Sequence, residues 1–218
     1  MNFLNPRRVR RGTVAALTGG LTLLALGTIA PLGAQASLLC TETISGPHSG
    51  VIIVASGQKL CLDGAVQDGA IDVDSGGALS VVNHSIITGA VTLRSGFDDL
   101  RFCDSTTVRG AISATGSRGF VHIGGDEQAL ACGANSIDGA VTVDANSGKV
   151  TVANNDIAGE VVASGNLGGP DLEGTMISGN QIGGALTCTG NTPPPNNGGT
   201  SNVVGGDRSG QTCAVSTF

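Results

Sequence analysis

Apolar and polar residues alternate along this chain, and the alternation itself recurs about every twenty residues. Seven glycines open the repeating units: Gly50, Gly69, Gly89, Gly110, Gly139, Gly159 and Gly184. Two residues after each stands Ile52, Ile71, Val91, Ile112, Val141, Val161 or Leu186, apolar in every unit. Four residues after it come Val54, Val73, Leu93, Ala114, Val143, Ala163 and Cys188. The residues between these columns (Ile53, Asp72, Thr92, Ser113, Thr142, Val162, Thr187) are mostly polar or β-branched. That is the period-two signature of a strand with one buried face.

A further apolar column, Ile87, Val108, Ile137, Ile157 and Ile182, lies two residues before the next glycine. Four before it stand Ser85, Thr106, Asn135, Asn155 and Asn180, whose side chains bond local backbone or stack into ladders. Each unit therefore reads as strand, turn, strand, turn, and no unit buries its apolar face alone. Stacking the units buries the columns on one another. The pattern predicts an all-β chain folded as a single-stranded parallel β-helix of about seven rungs. Glycine is expected at the corners because it adopts backbone conformations that other residues resist.

The first 36 residues do not share the pattern. Arg7, Arg8, Arg10 and Arg11 precede an apolar stretch from Val14 to Leu32, and Ala34-Gln35-Ala36 follows it. This is the layout of an export signal cut after Ala36, and Gly19, Gly20, Gly27 and Pro31 dilute the stretch as a lasting membrane span. The expected organisation is a signal peptide over 1–36, an N-terminal cap over 37–49, a parallel β-helix over 50–189 and a Pro/Gly/Asn-rich C-terminal cap loop over 190–218. The expected location is outside the cell, with no membrane attachment after cleavage.

All six cysteines lie beyond Ala36, and an even set in an exported chain reads as three disulfides. Cys103 and Cys132 each stand seven residues before a unit-opening glycine, so they share a column in successive rungs. Cys40 and Cys61 are 21 residues apart and Cys188 and Cys213 are 25 apart, again near one rung. Strand spacing in a sheet suits a disulfide between such neighbours. The expected pairs are Cys40–Cys61, Cys103–Cys132 and Cys188–Cys213. The alternative is a free Cys103, turned outward by the irregularity around Phe102.

Beyond Ala36 the chain carries seven basic and 17 acidic residues, a net charge of −10. Nucleic-acid binding depends on cationic side chains neutralising phosphate, so nucleic acid is not an expected partner. Two stretches concentrate acid: Asp72 with Asp74, and Asp98 and Asp99 with Asp104. They form a weak candidate patch for calcium or an acidic sugar, against the reading of solvated turns. Lys59, Lys149, Arg94, Arg101, Arg109 and Arg118 fall at different offsets within their units, and His48, His84 and His122 have no ligand-like spacing. No catalytic residue, metal site or cofactor is assigned. Phe97, Phe102, Phe120 and Phe218 are the only aromatic residues beyond the signal; the turn from Phe97 to Phe102 reads as a contact patch or as core. Insertions at 119–134 and 165–175 are where a binding loop would sit.

The closing run GNQIGGALTCTGNTPPPNNGGTSNVVGGDRSGQTC holds a more particular arrangement. Gly184, Leu186, Cys188, Gly190 and Asn191 end a rung, Pro193 to Pro195 make a proline-rich loop, and Asn202, Val204 and Gly206 form a turn. Gly210, Gln211 and Cys213 then close the chain, with Thr212 inserted. In these residues the chain resembles a family of uncharacterised bacterial secreted right-handed parallel β-helix proteins. The rungs and the early cysteine pair also fit, so the resemblance covers most of the chain beyond Ala36. It implies a right-handed β-helix, export and a terminal disulfide, and it implies no activity.

The leading expectation is a secreted, non-catalytic β-helix with a structural or surface-binding role in the cell envelope or extracellular space, its partner a polysaccharide or another envelope component. The alternative is a polysaccharide lyase or hydrolase, calcium-dependent if the aspartates hold metal. A third reading, an ice- or mineral-surface binder, needs a regular threonine array; Thr92, Thr142 and Thr187 are interrupted by Ser113 and Val162.

Overall fold

The computed structural model describes residues 40–125, 132–168 and 174–218. The export signal read over 1–36 lies outside them, as do residues 37–39 and parts of both insertions. The described chain is an all-β solenoid of parallel strands.

Three ladders run along it. The first has eight strands, hence seven turns: Ile52–Val54, Ile71–Val73, Val91–Leu93, Ile112–Thr115, Val141–Asp144, Val161–Ser164, Leu186–Thr189 and Arg208–Ser209. Its inward columns stay in register from rung to rung, with Ile112 opposite Val91 on one side and Val141 on the other. The second ladder comprises the first half of Lys59–Asp68, then Ala78–Val82, Leu100–Phe102, Val121–Gly124, Val150–Ala153 and Thr175–Ser178. The third comprises the second half of Lys59–Asp68, then Ile86–Ile87, Thr107–Val108, Ser136–Ile137, Asp156–Ile157, Gln181–Ile182 and Val203–Val204. Glu42–Ser49 pairs along Lys59–Asp68, so strand pairing begins ahead of Gly50. It also continues past residue 189, through Val203–Val204 and Arg208–Ser209.

Three ladders replace the two strands per unit expected from the pattern. The added inward pairs are Leu60 and Leu62, Leu79 and Val81, Leu100 and Phe102, Val121 and Ile123, Val150 and Val152, and Thr175 and Ile177, all buried. Their first members stand 10, 10, 11, 11, 11 and 16 residues after the unit glycine. Turns of unequal length precede this ladder, so alignment on the glycine blurs it. Phe97 and Phe102 are both fully buried, so their rings belong to the core, while Asp98, Asp99 and Arg101 between them stay half-buried.

The column of unit glycines answers to close approach more than to backbone angle. Among the seven, only Gly50 and Gly69 have φ in the left-handed region. A Cβ at Gly110 would lie 2.5 Å from the Ala90 nitrogen, at Gly139 2.5 Å from the Ala111 nitrogen and the Gly110 oxygen, and at Gly159 2.6 Å from the Ala140 nitrogen. Backbone stacks on backbone here, and a methyl group has nowhere to go. Gly139→Ala should therefore cost about 1–3 kcal/mol, while Gly133→Ala, with its nearest neighbour 3.4 Å away, should be close to neutral. Urea unfolding of the two variants side by side checks this.

Two corners are filled by buried polar columns. Between the second and third ladders, Asn135 Nδ2 donates to Asn155 Oδ1 (3.0 Å), Asn155 Nδ2 to Asn180 Oδ1 (3.0 Å) and Asn180 Nδ2 to Asn202 Oδ1 (2.9 Å). Between the first and second, Asn146 Nδ2 donates to Asn166 Oδ1 (2.9 Å), Asn166 Nδ2 to Asn191 Oδ1 (2.8 Å) and Asn191 Nδ2 to Gln211 Oε1 (2.8 Å). The same amides donate to main-chain carbonyls of an earlier rung, as Asn155 does to Ile123 (2.8 Å). At these two corners the asparagine side chains thus pair buried main-chain groups inside the solenoid, as burial demands.

The asparagine ladders run on into the last rung. Asn202 Nδ2 donates to the Phe218 carbonyl (2.9 Å), Gln211–Ala214 forms a short 3₁₀ turn, and the Phe218 side chain is buried. The disulfides pair as the spacing expects: Cys40–Cys61, Cys103–Cys132 and Cys188–Cys213, with Cα separations of 5.7, 4.8 and 5.8 Å. Cys103 is buried and bonded, so the alternative of an outward, free Cys103 is not met.

Candidate functional site

The five aspartates of the candidate patch come to three places around the rung. Asp72 and Asp74 lie on the outer face of the first ladder, where Arg94 of the next rung bridges them: its Nη2 is 3.7 Å from Asp72 and its Nε 3.7 Å from Asp74. Asp98 and Asp99 occupy the turn entering the second ladder. Asp99 accepts a hydrogen bond from the Phe120 amide (3.0 Å), yet burial, with Asp98 adding to it, raises its carboxyl above the ordinary aspartate value. Asp104 sits beyond the second ladder in a left-handed turn, φ 62°. Among the described residues no three His, Cys, Asp or Glu side chains converge as metal ligands would.

The outer face of the second ladder gathers a different set. Arg101, His122, Thr151 and Met176 are register partners on four successive strands. Phe120 and Lys149 stand two residues before His122 and Thr151, and the Phe120 and His122 rings approach to 4.8 Å between centroids. Burial lowers the His122 pKa to about 4, and the charges of Lys149 and Arg101 push the same way. His122 Nε2 is buried without a hydrogen-bond partner among the described residues. Counting from the unit glycine finds this set in the sequence: Asp99, Phe120 and Lys149 at plus ten, Arg101, His122 and Thr151 at plus twelve.

A pH dependence follows. A histidine held at about 4 in the folded chain and at its ordinary 6.5 when unfolded takes up a proton on unfolding between those values. Its contribution to stability is complete above about pH 6.5 and is lost as pH falls towards 4. Asp99, shifted upward, acts with the opposite sign in the acidic range. Thermal midpoints of the wild type should therefore fall from pH 6.5 to 4 more steeply than those of His122→Asn, which removes that titration.

A groove lies elsewhere, on the outside of the third ladder. Thr107, Ser136, Asp156 and Gln181 are register partners facing outward, and they form the floor of a groove of about 530 Å³. Ser105, Asn154 and Gly179, at the corner before that ladder, form its wall. Ser105 and Asn154 have φ of 61° and 56°, and Asn154 is anchored by donating to the Gly125 carbonyl (2.8 Å). The groove crosses four rungs along the solenoid axis, roughly 14 Å at about 4.8 Å per strand step. Its floor column stands one residue before the inward isoleucine column, so alternation alone implies that it faces outward.

The outer face of the first ladder places Thr92, Ser113, Thr142, Val162, Thr187 and Ser209 in one register column. Val162 breaks the hydroxyl row, and Arg94, Asp144 and Glu160 put charge beside it. Compared with protein-family models, curated proteins and solved structures, the chain matches none of them.

Proposed function

We propose that this chain is a secreted, non-catalytic β-solenoid that binds a polysaccharide or a related cell-envelope component in the third-ladder groove. The observation that carries the reading is the groove floor: Thr107, Ser136, Asp156 and Gln181 repeat a polar contact at every rung. Such a surface suits an extended polymer more than a compact metabolite. The lining holds one carboxylate, Asp156, where glycoside hydrolysis takes two. The export signal read from the first 36 residues and three disulfides support an extracellular location.

A second reading, a polysaccharide-active enzyme, draws on the second-ladder face, where Asp99 has a raised pKa and His122 a lowered one. Sedimentation of the mature chain with insoluble polysaccharides, with reducing ends measured in the supernatant, separates the two. The expected result is pelleted protein without released sugar, and loss of pelleting in Ser136→Trp, which fills the groove from its floor. Released oligosaccharide would overturn the non-catalytic reading, and pelleting unaffected by Ser136→Trp would overturn the assignment to the groove.

A further inference from the structure

We infer that the groove discriminates by charge, preferring a glycan that bears free amines to a neutral one and rejecting an acidic one, with Asp156 as the residue that sets this preference. The inference rests on reading the groove as a polysaccharide site. Ser105, Thr107 and Ser136 offer hydroxyls, and Asn154 and Gln181 offer amides. These groups both donate and accept, and so match the hydroxyls of any sugar without regard to its charge. Asp156 is the exception. It is the only acidic side chain of the lining, and it sits one rung from Ser136 and one from Gln181.

The Asp156 carboxylate is exposed and has no ion pair or hydrogen bond among the described residues. Its charge is therefore directed at whatever lies in the groove. A sugar amine seated over that rung gains a partner, whereas a sugar carboxylate meets a like charge. The field of the whole chain acts in the same direction, since the residues beyond Ala36 carry a net charge of −10. The basic side chains Arg101 and Lys149 belong to the second-ladder face and do not line the groove.

Three soluble oligosaccharides of equal length test this: a fully acetylated glucosamine oligomer (neutral), its deacetylated form (amine-bearing) and an oligogalacturonate (acidic). Affinities are measured for the mature wild type, Asp156→Asn and Ser136→Trp, at a pH where the sugar amine is protonated. All three proteins are first matched by thermal unfolding. The wild type should favour the deacetylated over the acetylated oligomer by about threefold to fivefold, the range of an exposed ion pair, and the preference should shrink with added salt. Asp156→Asn should abolish the preference, so that the deacetylated and acetylated oligomers bind alike. Ser136→Trp should abolish binding of both.

If Asp156→Asn keeps the amine preference, or the acidic oligomer binds as tightly as the others and is lost in Ser136→Trp, the charge inference falls while the groove stands. If no oligomer shows binding that Ser136→Trp removes, the groove reading falls and the inference with it.

Discussion

Val141→Asp should unfold the centre of the solenoid, whereas Asp at the next residue, Thr142, should leave it folded. Val141 is fully buried, with Ile112 and Val161 as register partners above and below it. A carboxylate there would sit among aliphatic side chains with no donor to meet it. The protein must either unfold or hold the group protonated, and the expected loss is on the order of 4 kcal/mol or more at neutral pH. Partial recovery on acidification should accompany it, because protonation removes the buried charge. Thr142 points outward between Ser113 and Val162, where water solvates the new charge, and the cost should stay within about 1 kcal/mol. Thermal unfolding followed by circular dichroism checks both. Equal losses would mean that the inward and outward columns of the first ladder are exchanged.

The second large effect is expected at Asn155. Its side chain makes four hydrogen bonds inside the corner: Nδ2 donates to Ile123 O (2.8 Å) and Asn180 Oδ1 (3.0 Å), and Oδ1 accepts from the Asn135 amide (3.2 Å) and Asn135 Nδ2 (3.0 Å). Asn155→Ala leaves the Asn135 amide without that acceptor and the Ile123 carbonyl without that donor, at a position 2% exposed. Each buried polar group left unpaired costs about 1–3 kcal/mol, so a total near 3–5 kcal/mol is expected. Asp156→Ala, one residue on and exposed, should be nearly neutral. Hydrogen exchange gives a local readout: the Asn135 amide should lose protection in Asn155→Ala before the first-ladder amides of Val141 and Val161 do. Uniform loss along the solenoid would argue against a ladder acting at the corner.

The asparagine column shows how far the sequence carried the fold. Asn135, Asn155 and Asn180 recur at one offset, and their tendency to stack was legible from residue type and spacing. The parallel column of Asn146, Asn166 and Asn191 was equally regular, at seven residues after the unit glycine, but it belongs to the corner entering the second ladder. The second ladder lies 10 or 11 residues after the glycine in five units and 16 in the last, so over the whole chain it forms no column as strict as the other two. The disulfides were legible for the opposite reason, since each pair spans about one rung and stacking brings equivalent positions together.

The candidate sites divide in the same way. Asp72 and Asp74 form one acidic group by spacing and do share a face, but spacing does not show that Arg94 bridges their carboxylates and partly balances their charge. Asp98, Asp99 and Asp104 are close in sequence and fall on opposite sides of the strand Leu100–Phe102. The groove residues Thr107, Ser136, Asp156 and Gln181 are 20 to 29 residues apart, and no local spacing groups them as a set.

By itself, then, the sequence determined the repeat length, the direction in which residues of the first and third ladders point, and the pairing of its cysteines, because all three depend on short-range alternation and on counting single rungs. Tertiary structure alone decided that a third ladder exists, that most of the unit glycines are needed for backbone contact, and which outward columns line a concavity. Those properties depend on the lengths of successive turns and on the bend of the chain at each corner, and alternation within a strand carries no information about either.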